Sequence, residues 1–226
     1  MSCLLVAQDV ERCKVCYDQS MTDDLNLEGA YALKTPQDAK RLYAAWADTY
    51  DDDFSDAQGY LIPREVVRVF AGAGGHGPIL DVGAGTGLVG EGLAAVGIGP
   101  IDALDLSEDM LRVARGKGVY RNLIAADVTE PLGLAGYRGI VSAGTFTLGH
   151  VGPEGILPLL EIAEKGCLFV ISVNAQHYQS AGFEALFAKL DPQIVDLTFE
   201  DVRIYSDKAD LSHRYDIARL VQFRKT

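Results

Sequence analysis

Residues Ile79-Leu80-Asp81-Val82-Gly83-Ala84-Gly85-Thr86-Gly87-Leu88 decide how this chain is read. An apolar run carries one acid, and glycines then fall at every second position. The run predicts a buried strand over 78–82. Leu88, Val89, Leu93 and Val96 recur at helical spacing beyond it, which predicts a helix over 86–97. A glycine-rich turn between strand and helix lets a ligand approach bare backbone, because glycine has no Cβ to block it. The amides of the turn and the helix N-terminus also favour an anionic group.

A dinucleotide is the first ligand to weigh. Its fingerprint, G-x-G-x-x-G, sets the third glycine three positions after the second. Here Gly87 comes two positions after Gly85, and Leu88 stands where that pattern wants Gly or Ala. Asp81 at the strand end would repel a pyrophosphate and attract a cation. Asp81-x-Gly83-x-Gly85-x-Gly87 resembles the first motif of the class I S-adenosylmethionine-dependent methyltransferases, whose cofactor carries an amino group and a sulfonium. That resemblance implies a cofactor contact along Asp81, Gly83, Ala84, Gly85, Thr86 and Gly87.

Two more acids follow in the same order. Ile101 to Asp105 reads as a second strand, ending about 20 residues past the glycines, where such folds place a ribose-binding acid. A carboxylate is acceptor-only and can take hydrogen bonds from both ribose hydroxyls. Ser107 is a candidate N-cap for a helix over 107–116 with acids in its first turn. Asp105-x-Ser107-x-x-Met110-Leu111 resembles the corresponding family segment, where the acid holds ribose and apolar residues, here Leu106 and Met110, flank adenine. Asp127 ends the apolar stretch 123–126. The family places an acid there on the adenine amino group, with the next amide, that of Val128, on the ring.

Composition sets limits. A chain of 226 residues with 48% hydrophobic and 23% charged side chains is one ordinary globular domain with a sizeable core. Its 20 basic against 32 acidic side chains, a net charge of -12, show no basic footprint for nucleic acid. No apolar run approaches the ~20 residues that span a bilayer, and 3–7 is too short and lacks the basic start of a signal peptide. A cytoplasmic protein without nucleic-acid or membrane partners is expected. Cys13-x-x-Cys16 with Cys3 lacks the second pair of a closed zinc site, so no metal is expected.

The chain divides into an N-terminal helical arm or lid over 1–58 and a cofactor-binding domain over 59–226. Thr35-Pro36-Gln37-Asp38 starts a helix, and Ala39, Leu42, Tyr43, Trp46 and Tyr50 share one face of it. Tyr43-x-x-Trp46-Ala47-x-x-Tyr50-Asp51 resembles the N-terminal segment of small-molecule methyltransferases, which folds over the cofactor. Aromatic faces there can also hold a cation. The acid run 51–53 reads as a solvated helix end. From Pro78 onward strands alternate with helices. Strands are expected near 78–82, 101–105, 120–126, 138–143, 167–173, 194–204 and 213–224, and helices near 61–71, 86–97, 107–116, 152–164 and 177–190. The fold class is α/β: a seven-stranded, mostly parallel sheet with helices on both faces and an antiparallel last strand.

The fourth strand runs into Ser142-Ala143-Gly144-Thr145-Phe146-Thr147-Leu148-Gly149-His150. This is not the Asn/Asp-Pro-Pro-Tyr/Phe box of methyltransferases acting on nucleobase or glutamine amino groups. With 79–90, 120–127 and 150–153 it looks like the methyltransferase-like proteins named for the Williams–Beuren syndrome region and their bacterial relatives. The likeness spans 36–224 and implies cofactor contacts at Ala143 and Gly144. His150 and His177 both follow strand ends, and either could take a proton from an acceptor as the methyl group moves; His177 is the first choice. His76 and His213 read as structural or exposed. The expected activity is methyl transfer from S-adenosylmethionine to a small-molecule O, N or S acceptor by in-line displacement, leaving S-adenosylhomocysteine. A cofactor-binding protein without turnover and a protein methyltransferase remain alternatives.

Overall fold

The computed structural model describes Gly29, residues 36–51, Ser55 and residues 57–226. Cys3, Cys13, Cys16, Asp52 and Asp53 lie outside the described residues. The elements run α1 (Pro36–Trp46), α2 (Ile62–Gly72), β1 (Ile79–Val82), α3 (Leu88–Ala95), β2 (Ile101–Asp105), α4 (Glu108–Gly116) and β3 (Tyr120–Ala125). They continue with β4 (Tyr137–Phe146), α5 (Ile156–Ile162), β5 (Ala163–Asn174), α6 (Ala175–Ser180), α7 (Phe183–Leu190), β6 (Ile194–Arg203) and β7 (Ile217–Lys225).

All seven strands form one sheet in the order β3-β2-β1-β4-β5-β7-β6. β7 alone runs against its neighbours, pairing antiparallel with β5 and β6. The sheet class expected from sequence is therefore the one observed. β1 is buried at every position, as a central parallel strand covered on both faces must be. Its residues alternate: Leu80 and Val82 face α5 and α7 with Phe146, Phe169 and Phe223, while Ile79 faces α2 and α3 with Phe70 and Leu93. The chain reverses direction across the sheet between β1 and β4, and a crevice opens beyond the carboxyl ends of the strands at such a point.

Two expected helices are shorter than their periodicity suggested. The segment 177–190 is two helices, because Gly182 adopts φ 88° and resets the chain direction between α6 and α7. Of 152–164, residues 153–155 form a 3-10 turn, and α5 gives way at Ala163 to extended backbone that lengthens β5. Ser107 does cap α4, its Oγ accepting the Met110 amide at 3.3 Å. Among the described residues no helix is long and apolar enough to cross a membrane.

The N-terminal helix packs on the domain. Trp46, 1% exposed, joins Ile62, Val66, Phe70 and Leu93 in the core beneath the sheet. It was expected on the cofactor; instead its ring is the anchor of α1, since so large an apolar surface is held where water is excluded. Trp46→Ala is expected to lower unfolding free energy by ~3–5 kcal/mol in urea titration. An arm merely resting on the surface would give no such loss.

Candidate functional site

A cleft lies beyond the carboxyl ends of β1, β2, β4 and β5. It is lined by 83–86, 105–107, 126–129 and 143–148, with Met110, His150, Ser172 and Asn174, and by Tyr43, Tyr50 and Tyr60 from the N-terminal side. The structure thus gathers Tyr43, Tyr50, Gly83, Ala84, Gly85, Thr86, Asp105, Leu106, Met110, Asp127, Val128, Ala143, Gly144 and His150 into one space. Trp46, Asp81, Gly87 and His177 are not among its walls.

The glycine turn owes its composition mostly to the protein itself. Gly83, Gly85 and Gly87 have φ of 63°, 55° and 98°, a region that suits glycine. A Cβ on Gly83 would strike Thr145 Oγ1, and one on Gly87 would meet the Tyr120 ring at 2.9 Å; only at Gly85 is the space open. The turn's amides are committed as well. Gly83 and Ala84 donate to the Leu104 carbonyl at 2.7 and 3.1 Å, Gly87 donates to the Ala84 carbonyl, and Gly85 donates to Asp105 Oδ2 at 2.8 Å. Such a turn offers few donors to a phosphate. It suits a ligand that approaches Gly85 without carrying one.

Asp105 joins two turns. Its Oδ2 takes the Gly85 amide and its Oδ1 takes the Ser107 amide at 2.8 Å, while burial raises its pKa. A carboxylate has about four acceptor sites, so it keeps capacity on its cleft side. Asp127 Oδ1 accepts the amide and hydroxyl of Thr129 at 2.9 and 2.7 Å. Among the described residues its Oδ2 has no partner, and the residue lines the cleft next to Val128.

Asp81 has a different role from the one its place in the motif suggested. It is 0% exposed beneath the turn, with the Tyr120 hydroxyl donating to Oδ2 at 2.6 Å. Its Oδ1 makes no hydrogen bond among the described residues. Burial, reinforced by the charge of Asp105, pushes its pKa up to about 7. The side chain lies buried beneath the turn and is not among the cleft walls. Gly87 is likewise not a cleft contact, since Tyr120 fills the space at its α-carbon.

The two histidines also part company. His150 lines the cleft; its Nδ1–H donates to the Leu148 carbonyl at 3.0 Å, which leaves Nε2 to accept from the Tyr43 hydroxyl at 3.2 Å. Burial lowers its pKa, so the ring is neutral near pH 7. His177 is 9% exposed and its Nε2–H donates to the Val151 carbonyl at 3.0 Å while its ring packs on Phe183. Asn174 caps α6 through Oδ1, accepting the Gln176 and His177 amides, and this tethers His177 behind the cleft wall. His177 serves as a packing residue. His76 is exposed, and His213 pairs with Asp216 at 2.9 Å.

One contributor escaped the sequence reading. Asp51, taken as part of a solvated helix end, accepts the Thr86 hydroxyl on Oδ1 and Lys117 Nζ on Oδ2 at 2.8 Å. It thereby ties the segment after α1 to the glycine turn. The run of three acids hid it, because a charge run ordinarily marks a water-facing surface. Cys167 is a buried thiol inside β5, and no cluster of metal-ligating side chains occurs among the described residues.

No protein-family model matches the chain. A curated relative, methyltransferase-like protein 27 from Homo sapiens, is 31% identical over 165 residues, 69% of this chain and 66% of its own length. The chain therefore spans just under two thirds of that relative. Among solved structures, magnesium protoporphyrin IX methyltransferase from Synechocystis PCC 6803 with bound S-adenosylmethionine matches at TM-score 0.56 and 16% identity. That match covers 81% of this chain and 97% of the other. A S-adenosylmethionine-dependent methyltransferase from Thermotoga maritima matches at TM-score 0.55 and 15% identity, covering 83% and 98%. The likeness to class I methyltransferases read from the residues is thus met in fold and in a sequence relative.

Asp81 gives a pH signature. Because its folded pKa lies above the usual 3.8, the native state holds a proton that the unfolded chain has lost between those values. Stability from this group is therefore greatest below pH ~4 and falls, by at most ~1.4 kcal/mol per pH unit, as pH rises towards 7. Asp81→Asn is expected to remove this downward slope in urea midpoints taken from pH 5 to 8. Parallel curves for the two proteins would refute the assignment.

Proposed function

The chain has the class I S-adenosylmethionine-dependent methyltransferase fold, and on that footing we propose that it binds S-adenosylmethionine and transfers its methyl group to a small-molecule acceptor. The observation that carries this reading is the pairing of Asp105 with the open Gly85: an acceptor-only carboxylate beside bare backbone whose own amides are already satisfied. A nucleoside with a ribose diol and no phosphate fits that chemistry, and a dinucleotide does not.

Asp105 would hold the ribose hydroxyls, and Asp127 with the Val128 amide would hold adenine between Leu106 and Met110. Tyr50 and Tyr43 roof the space above, buried enough that their hydroxyls stay protonated. When bound, the cofactor supplies an electrophilic methyl carbon on a sulfonium that leaves as a neutral thioether. An acceptor hydroxyl held in line with that carbon would give its proton to His150 Nε2, from which the Tyr43 hydroxyl would first have to withdraw. The resulting imidazolium keeps its Nδ1–H on the Leu148 carbonyl. Holding the acceptor in line provides much of the acceleration, and the base adds ~10²–10⁴-fold. A tyrosine roof close over the site favours a small acceptor over a folded protein.

Incubation with methyl-labelled S-adenosylmethionine and a fractionated metabolite extract tests the reading. Label is expected in the low-mass fraction; label only in macromolecules, or cofactor uptake with no transfer to any fraction, overturns it. Asp105→Ala is expected to weaken S-adenosylhomocysteine binding by ~1.5–3 kcal/mol in calorimetry, and unchanged affinity would remove Asp105 from its role. With the fraction that accepts label, His150→Gln should lower turnover ~10²–10⁴-fold at retained cofactor affinity. His177→Gln should alter stability and leave turnover near the parent value.

A further inference from the structure

Resting on the methyl-transfer reading, we infer that the acceptor is an uncharged aromatic molecule whose methylated group is a phenol-type hydroxyl. Its seat is the half of the cleft at the ends of β4, β5 and β7. The cleft is divided by charge. Among the described residues its carboxylates, Asp105 and Asp127, both stand on the β2–β3 side, and no lysine or arginine lines it anywhere. The other half is walled by Tyr60, Tyr205, Ile204, Ala218 and Leu148.

Three of the polar side chains in that half bond to the protein. Ser172 Oγ accepts the Gly144 amide at 2.9 Å, and Thr145 Oγ1 donates to the Val82 carbonyl at 3.0 Å. Asn174 Oδ1 is taken by two amides of α6. Among the described residues a carboxylate seated here would find no cation, and an ammonium would find no anion, while both would lose water. An uncharged ring meets neither cost and packs against an apolar wall in which the Tyr60 and Tyr205 rings lean on each other, 6.0 Å apart and tilted by 39°.

The hydroxyl is specified by His150. Its Nδ1–H is fixed on Leu148, so Nε2 is an acceptor directed at a hydroxyl hydrogen. The group on it here is a phenol, that of Tyr43, whose ring centroid lies 5.6 Å from the imidazole. An acceptor phenol would take the place of the Tyr43 hydroxyl on Nε2, with the same donor–acceptor pairing. A neutral amine or a thiolate would have no need of such an acceptor.

Three matched phenols separate the possibilities: 4-ethylphenol, tyramine and 4-hydroxyphenylacetate share a ring and differ in tail charge. Their dissociation constants are measured by calorimetry on the full chain saturated with S-adenosylhomocysteine, and methyl transfer is followed in parallel. 4-Ethylphenol is expected to bind at least ~tenfold more tightly than either charged analogue. Equal or tighter binding of tyramine or the acid, or no measurable binding of 4-ethylphenol, overturns the inference. Thr147→Arg, placing a cation in this half, is expected to shift the preference at least ~tenfold towards the acid; no shift at retained S-adenosylhomocysteine affinity overturns the seat proposed. Failure to bind S-adenosylhomocysteine at all would instead remove the methyl-transfer reading.

Discussion

The hydrogen bonds from the Gly85 and Ser107 amides to one carboxylate, that of Asp105, set the shape of the site. They lock the turn after β1 to the turn after β2, two segments that the parallel pairing of their strands only brings near each other. With Gly83 and Ala84 also bonded to Leu104, most of the turn's amides are committed before any ligand arrives. That exchanges the anion affinity common to glycine-rich turns for a rigid, open ledge at Gly85. The buried acid beneath it follows from the same arrangement. Burial above all, with the Asp105 carboxyl adding to it, raises the Asp81 pKa to about 7, and Tyr120 holds the group from the side.

The N-terminal segment completes the site through separate fastenings. Trp46 roots α1 in the core below the sheet, Asp51 grips Thr86 and Lys117, and Arg112 reaches Asp48 at 2.7 Å. These place the Tyr43 and Tyr50 rings, 5.9 Å apart, over the cleft. The apolar anchor contributes most of the attachment, because exposed ion pairs such as Arg112–Asp48 add only ~0–1 kcal/mol. Movement of this segment would therefore involve the tyrosines and Asp51 more readily than Trp46.

Charge is distributed unevenly along the cleft. Acids gather on the β2–β3 side, where a ligand rich in hydrogen-bond donors is satisfied by acceptors. On the β4–β5–β7 side Ser172 and Thr145 bond to the backbone, and the wall around them is largely aromatic and aliphatic with one imidazole.

The places of the strands along the chain, the glycine turn, the acid that ends β2 and the one that follows β3 were legible in the sequence. Each depends on local rules: apolar runs for buried strands, glycine for left-handed turns, and the spacing of one α/β unit. Which way a side chain faces was not, because a one-residue change of register moves it to the opposite face of the sheet. Asp81 and Asp105 both end strands, yet one is sealed under the turn and the other opens into the cleft. His150 and His177 both follow strands, yet a loop returns the first to the site while Asn174 and Phe183 hold the second behind its wall. Gly83 and Gly87 are glycines because Thr145 and Tyr120, some 60 and 30 residues away in sequence, occupy the space beside them, a constraint that only packing between distant segments creates.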